Sequence, residues 1–271
     1  YAACREAEEA FLAIFPRFIP FILSGVLSQA LIRRLLRGNG ADRDVTAFAQ
    51  GLDGNVTTEM DLAVGDLADV ARAHPAVAAH LKSVPPKDAL RTVRDVDGGP
   101  TFARAMDEFL ERYGMRGTFE IDITRPRWRD DPTPLVQIIV GNLALEERGA
   151  HRAHHQRMKR QGLEAAGRLI AAASPWQRPL VRRLIRVARN NIAMREHPKF
   201  MLIRLLDLVR NATHECATLL QRQGRIDTRD DVYFLTAEEL LEALRDPSRP
   251  LTDLIRSRRA EHEHFQKLSP P

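Results

Sequence analysis

Apolar residues recur at helical spacing along most of the chain. Met60, Ala63, Val64, Leu67 and Ala71 fall on one face, as do Phe102, Met106, Phe109, Leu110 and Tyr113. Between Ala7 and Arg37 the load is heavier, with Phe11, Phe15, Phe18, Phe21, Ile22, Leu23, Val26 and Leu27. This stretch predicts a helix broken near Pro16 and Pro20, since proline lacks the amide donor and clashes with the preceding turn. Gly38-Asn39-Gly40 is the expected stop. Core packing is the favoured role of its apolar side chains, and lining a cavity is the alternative. Thr58 with Asp61, Thr101, and Thr133 with Pro134 are the expected helix starts, and Pro75 opens a further helix.

The second half has a longer period. Leu135, Ile138, Ile139, Asn142, Leu143 and Glu146 begin a helix that could run to Ala173. Ser174-Pro175-Trp176-Gln177 reads as a capping box, and the pattern continues to Gln223, where Gly224 stops it. Pro198 is expected to split that run. Thr236 with Glu239 caps a helix through Arg245, and a charged helix follows from about Leu251 to Lys267. Two stretches depart from this. Phe119, Ile121 and Ile123 alternate with Thr118, Glu120 and Asp122, a period of two that predicts a half-buried extended segment. Asp231 to Leu235 reads as a short strand or extended arm. The predicted class is mainly α, a helical bundle-like domain with a minor extended element near 117–123 and 231–235.

The chain has 271 residues and 44% hydrophobic content, enough for a sizeable core. It starts at Tyr1 rather than Met and ends in Ser269-Pro270-Pro271, so it reads as a piece of a longer protein. Two cysteines, Cys4 and Cys216, are too few for a disulfide framework and predict a reducing, cytoplasmic location. Phe18 to Ile32 is uncharged but too short to span a bilayer, so no membrane role is expected. The net charge of +5 invites a nucleic-acid reading. The 41 basic residues, however, are scattered among 36 acids rather than gathered in a stripe, so nucleic acid is not an expected partner.

The sequence has no phosphate-binding GxxxxGK[ST], no dinucleotide GxGxxG, no HExxH and no CxxC. His151, His154 and His155 put two imidazoles one turn apart, but Arg148, Arg152, Arg157, Lys159 and Arg160 oppose a metal there. Glu120 and Asp122 lie among Arg116, Arg125, Arg127 and Arg129, where charge pairing is the simpler role. Arg195 and Lys199 are one turn apart on one face. Like charges at that spacing disfavour a helix, which suggests either an anion or polar-ligand site or two solvated cations.

Four runs in order carry a family resemblance: Gly51 to Leu62, Tyr113 to Trp128 with Asp131 to Pro134, Arg195-Glu196-His197-Pro198-Lys199, and Asp230 to Leu240. Together they resemble the central domain of the phosphoenolpyruvate synthase-like phosphotransferases, most closely the rifamycin (rifampicin) phosphotransferases. One departure is Phe119, where the family pattern calls for a small residue, often Gly. The resemblance implies that residues 1–271 form a single helical acceptor-binding domain, the later part of it. An ATP-grasp domain and a domain carrying a phosphorylated histidine would belong to the parent protein and be absent from this chain. It implies splitting of ATP to AMP and phosphate, with one phosphoryl group passed to the acceptor. ATP and Mg would be bound by the parent and no cofactor by this chain, which alone would be inactive. Arg195 and Lys199 match the family's basic pair in the acceptor site. Phe18, Phe21 and Ile22 are candidates for a greasy acceptor groove on composition and position. The acceptor is expected to be rifamycin-like. Pyruvate or a small biosynthetic intermediate is the alternative, and a non-enzymatic binding module is a third reading.

Overall fold

The computed structural model describes residues 2–37, 42–145 and 147–268. The expected stop at Gly38–Gly40, Glu146 and the terminal Ser269–Pro271 lie outside them. The chain is mainly helical, and among the described residues there is no strand. It divides into two compact units. One comprises residues 9–118 and 126–203, the other residues 1–8, 119–125 and 204–271.

The first unit is built on two cores. Helices α3 (Val56–Ala73), α4 (Pro75–Ser83), α5 (Pro86–Thr92), α6 (Gly99–Tyr113) and α7 (Thr133–Leu145) enclose the larger one. The predicted stripes supply it: Met60, Val64, Leu67 and Ala71 of α3 meet Phe102, Met106, Phe109 and Tyr113 of α6. Helix α1 (Ala2–Leu35), α2 (Asp42–Ala47), α8 (Ala150–Ala172) and α9 (Arg178–Ala193) form the smaller core around Ile32, Phe48, Leu169, Val181 and Ile185. The second unit packs the end of α10 (His197–Arg222) with α11 (Ala237–Arg245) and α12 (Thr252–Gln266) around Leu220, Val232, Leu251 and Ile255.

Several boundaries follow the sequence. Pro75 opens α4, and Pro198 sits in the first turn of α10 after a 3-10 turn at Met194–Glu196 splits the long run. Thr236 and Glu239 form the expected capping box on α11. Ser174 donates its hydroxyl to Gln177 Oε1 at 2.7 Å. Others are corrected. Asn55, not Thr58, caps α3, its side chain accepting from the Thr57 and Thr58 amides at 3.1 and 3.0 Å. Gly98 rather than Thr101 precedes α6.

Both extended segments are corrected too. Residues 118–125 are turns and bends, because Asp122 accepts from the Thr124 amide and hydroxyl at 2.9 and 2.7 Å, and its own amide closes on Phe119 O. The expected alternation of burial is absent, with Thr118 and Asp122 exposed and Ile123 half-buried. Phe119 and Ile121 are 74% and 64% exposed, while Glu120 is buried. Residues 229–234 form a 3-10 turn held by Asp231. Its carboxylate accepts from the Asp227 and Thr228 amides, the Thr228 hydroxyl and Arg259. Burial pushes this carboxyl up, but those donors together hold it below the usual range.

Helix α1 is unbroken through Pro16 and Pro20. The two prolines are four apart and so on one face, and both are exposed, so the carbonyls they leave unpaired can reach water. Continuous from Cys4 to Leu35, the helix is long and apolar enough to cross a membrane by length and composition. That corrects the shorter span read from the sequence. Its C-terminal half packs into the protein: Asn191 Nδ2 donates to Ser24 Oγ at 2.8 Å, and Gln29 Nε2 to Val45 O at 3.0 Å.

Candidate functional site

A cavity of about 670 Å³ opens in the first unit. The loop before α3 and α3 itself contribute Leu52, Thr58, Asp61 and Leu62. Ile138 and Asn142 come from α7, and His151, His154, His155 and Met158 from α8. Ile192 at the end of α9 and Arg195 on the following 3-10 turn complete the wall, with Trp128 from the loop before α7. Trp128 is fixed by backbone pairing. Its amide donates to Arg116 O at 2.7 Å, the Arg129 amide donates to Gly114 O at 3.0 Å, and its ring packs 5.9 Å from that of Phe109.

The α3–α8 wall is braced by charge. His151 Nε2 lies 3.0 Å from Asp66 Oδ1, and its Nδ1 lies 3.8 Å from Asp69 Oδ2. Arg152 forks onto Asp66, with Nε at 2.7 Å from Oδ1. This Arg152 contact is the main reason the Asp66 carboxyl sits below its ordinary range. Asp69 takes Arg72 and the Gly149 amide at 2.8 Å, placing an acid at the start of α8, where the helix dipole favours it. The His151 ring lies flat against Gly65, where a Cβ would come within 2.4 Å of Cδ2. Any side chain at 65 would therefore displace that ring from Asp66 and Asp69. Asp66, Asp69 and His151 hold their donor atoms within 4.8 Å of one another, the only such group among the described residues. Arg152, Arg72 and the Gly149 amide already engage its two carboxylates, and His155 is not part of it.

The predicted basic pair is divided by the cavity. Arg195 lines it, exposed, with Nε 3.3 Å from Glu196 Oε1. Lys199, exposed in the first turn of α10, is not among the lining residues. The backbone at Ala193, Met194 and His197 stays right-handed helical, so the two cations remain about one turn apart. Phe18, Phe21 and Ile22 lie on α1 outside the lining. They continue the face on which Gly25 meets α9 beside Ile192, itself a wall residue. Sequence reasoning passed over Asp61, Trp128 and Asn142. Asn142 alone gave a signal, as a polar position within the apolar face of α7.

Residues 17–196 match a family model described as the rifampicin phosphotransferase fourth domain. The chain belongs to the rifampicin phosphotransferase family. It is 36% identical over 224 residues to a rifampicin phosphotransferase of Streptomyces sviceus, covering 80% of this chain and 26% of that protein. It is 34% identical to one from Bacillus subtilis, covering 86% and 27%. A third, from a Streptomyces species, is 35% identical and covers 100% and 32%. The chain thus spans about a quarter to a third of the length of these relatives. Every residue of the cavity wall falls inside the stretch that the family model matches.

Proposed function

We propose that this chain is the acceptor-binding part of an ATP-dependent, dikinase-type phosphotransferase that inactivates rifamycin antibiotics. The observation that carries the reading is the cavity. At about 670 Å³, with Leu52, Leu62, Trp128, Ile138, Met158 and Ile192 interleaved with polar side chains, it suits a large acceptor that offers both apolar surface and oxygens, and it exceeds what pyruvate needs. In the parent enzyme ATP and Mg²⁺ belong to an ATP-grasp domain, and a phosphohistidine on a mobile domain hands its phosphoryl group to an acceptor hydroxyl. ATP, acceptor and water become AMP, phosphate and phosphorylated acceptor. Arg195 at the cavity wall and Lys199 one turn on supply positive charge where the phosphoryl oxygens gather negative charge in transfer. Phe18, Phe21 and Ile22 extend the apolar surface for the acceptor beyond Ile192. The enzyme works in the cytoplasm, where ATP is present.

In the full-length enzyme, Arg195→Ala with Lys199→Ala should lower rifamycin phosphorylation by about 10²–10³-fold, the scale for lost oxyanion stabilisers. Formation of the phosphoenzyme from ATP should persist. Undiminished phosphorylation in the double variant would sink the site assignment. AMP release stimulated by pyruvate or another small acid, and not by a rifamycin, would replace the acceptor.

A further inference from the structure

We infer that Asp61 takes the proton from the acceptor hydroxyl as that oxygen attacks phosphorus. This rests on the cavity being the acceptor site. Asp61 is the only carboxylate among the residues lining the cavity. The other polar groups of the wall are the cation of Arg195, the imidazoles of His151, His154 and His155, and the neutral side chains of Gln50, Asn55, Thr58 and Asn142. An ionised carboxylate has no proton to give, so it is the wall group whose only hydrogen-bonding role is to accept one.

Its neighbours sharpen the point. Asp53 is held by Lys159, Asp66 by Arg152 and His151, and Asp69 by Arg72 and the Gly149 amide. Among the described residues Asp61 makes no hydrogen bond or ion pair. It lines the cavity and is exposed, yet burial of part of the side chain pushes its carboxyl above the ordinary range, with Arg116 opposing. A base so tuned holds a proton better in transfer. His151 is a poorer candidate, since both ring nitrogens face carboxylates.

The step balances. A lone pair of the hydroxyl oxygen forms the new O–P bond while its O–H bond breaks and the proton moves to the Asp61 carboxylate. The P–N bond of the phosphohistidine breaks, leaving its electron pair on the imidazole nitrogen. That nitrogen takes a proton from solvent as Asp61 returns its own.

The test is Asp61→Asn in the full-length enzyme, with rifamycin binding followed by calorimetry and transfer from preformed phosphoenzyme by rapid quench. Binding should stay within about threefold and transfer should fall by about 10²–10⁴-fold. The wild-type transfer rate should drop as pH falls through the raised Asp61 pKa. Asp61→Glu should keep an acid limb but move it along the pH axis, and Asp61→Asn should lose it. His154→Gln and His155→Gln should retain it. Wild-type transfer with an unchanged pH profile in Asp61→Asn, or an acid limb that vanishes in a histidine variant instead, overturns the inference and leaves the acceptor site standing. Should Asp61→Asn fail to fold, an unshifted limb in Asp61→Glu overturns it equally. If the wild-type enzyme binds no rifamycin, the reading of the cavity falls and the inference with it.

Discussion

Helices α1 and α6 both carry apolar stretches, the heavier on α1, and dispose of them in opposite ways. In α6, Phe102, Met106, Phe109 and Tyr113 are all buried, and Arg104, Asp107, Glu108 and Glu111 hold the other face in water. In α1 the buried positions are Gly25, Ser28 and Ile32, while Phe21, Leu23, Val26, Leu27 and Leu31 stand exposed. The difference is charge. No charged residue falls between Phe18 and Ile32, so the pattern there has no polar side to point outward. Small residues choose the packing face instead, because they let the α1 and α9 backbones approach. Apolar content says that a helix will be greasy, whereas only its contrast with charge says which face will be covered.

The strongest way to break this contrast is to truncate one phenylalanine in each helix. Phe102→Ala should cost about 3–5 kcal/mol, the usual range for emptying a fully buried aromatic site. Phe21, 54% exposed, should cost no more than about 0.5 kcal/mol as Phe21→Ala. Urea unfolding of both variants measures the pair. Equal losses would mean that the outer face of α1 is covered in solution and that the comparison fails.

A smaller effect tests the small-residue face directly. A Cβ at Gly25 would meet Ile192 N at 3.1 Å and Asn191 C at 3.2 Å, both backbone atoms that cannot swing aside. Gly25→Val should therefore destabilise by about 1–3 kcal/mol, although leaving glycine favours a helix by several tenths. A neutral or stabilising result in the same urea series would show that α1 rests on α9 loosely.

These two helices also mark how far the sequence can be read. The α3 and α6 stripes, Pro75, Pro198 and the Thr236–Glu239 box were legible because each is a local signal with a local cause. The seat of α1 was not, because Gly25 carries no apolar signal and the backbone it meets, at Asn191 and Ile192, lies far beyond any window of periodicity. The period-two run at 118–123 misled because alternation does not specify a partner strand, and Asp122 offers its neighbours a turn instead. At the cavity, Arg195, singled out through its spacing from Lys199, lines the wall, and Lys199 does not. Asp61 was missed because an acid three residues after a threonine reads as a capping partner. Its place on a cavity wall depends on α7, α8 and the Arg195 turn, which no local pattern reports.

The smallest effect concerns an apolar side chain exposed at a backbone cost, which those of α1 do not incur. Phe119 adopts φ 57° with its ring 74% exposed. The left-handed region costs an L-residue about 1–2 kcal/mol, and glycine nothing. The family resemblance calls for a small residue, often Gly, at this position, and the backbone here supplies the reason. Glycine also gains freedom in the unfolded chain, which offsets part of the relief. Phe119→Gly should thus stabilise by about 0.5–1 kcal/mol in urea unfolding, opposite in sign to Gly25→Val. A loss of stability would mean that the Phe119 ring makes an apolar contact in solution. Its exposure would then belong with the buried face of α6 rather than with the open face of α1.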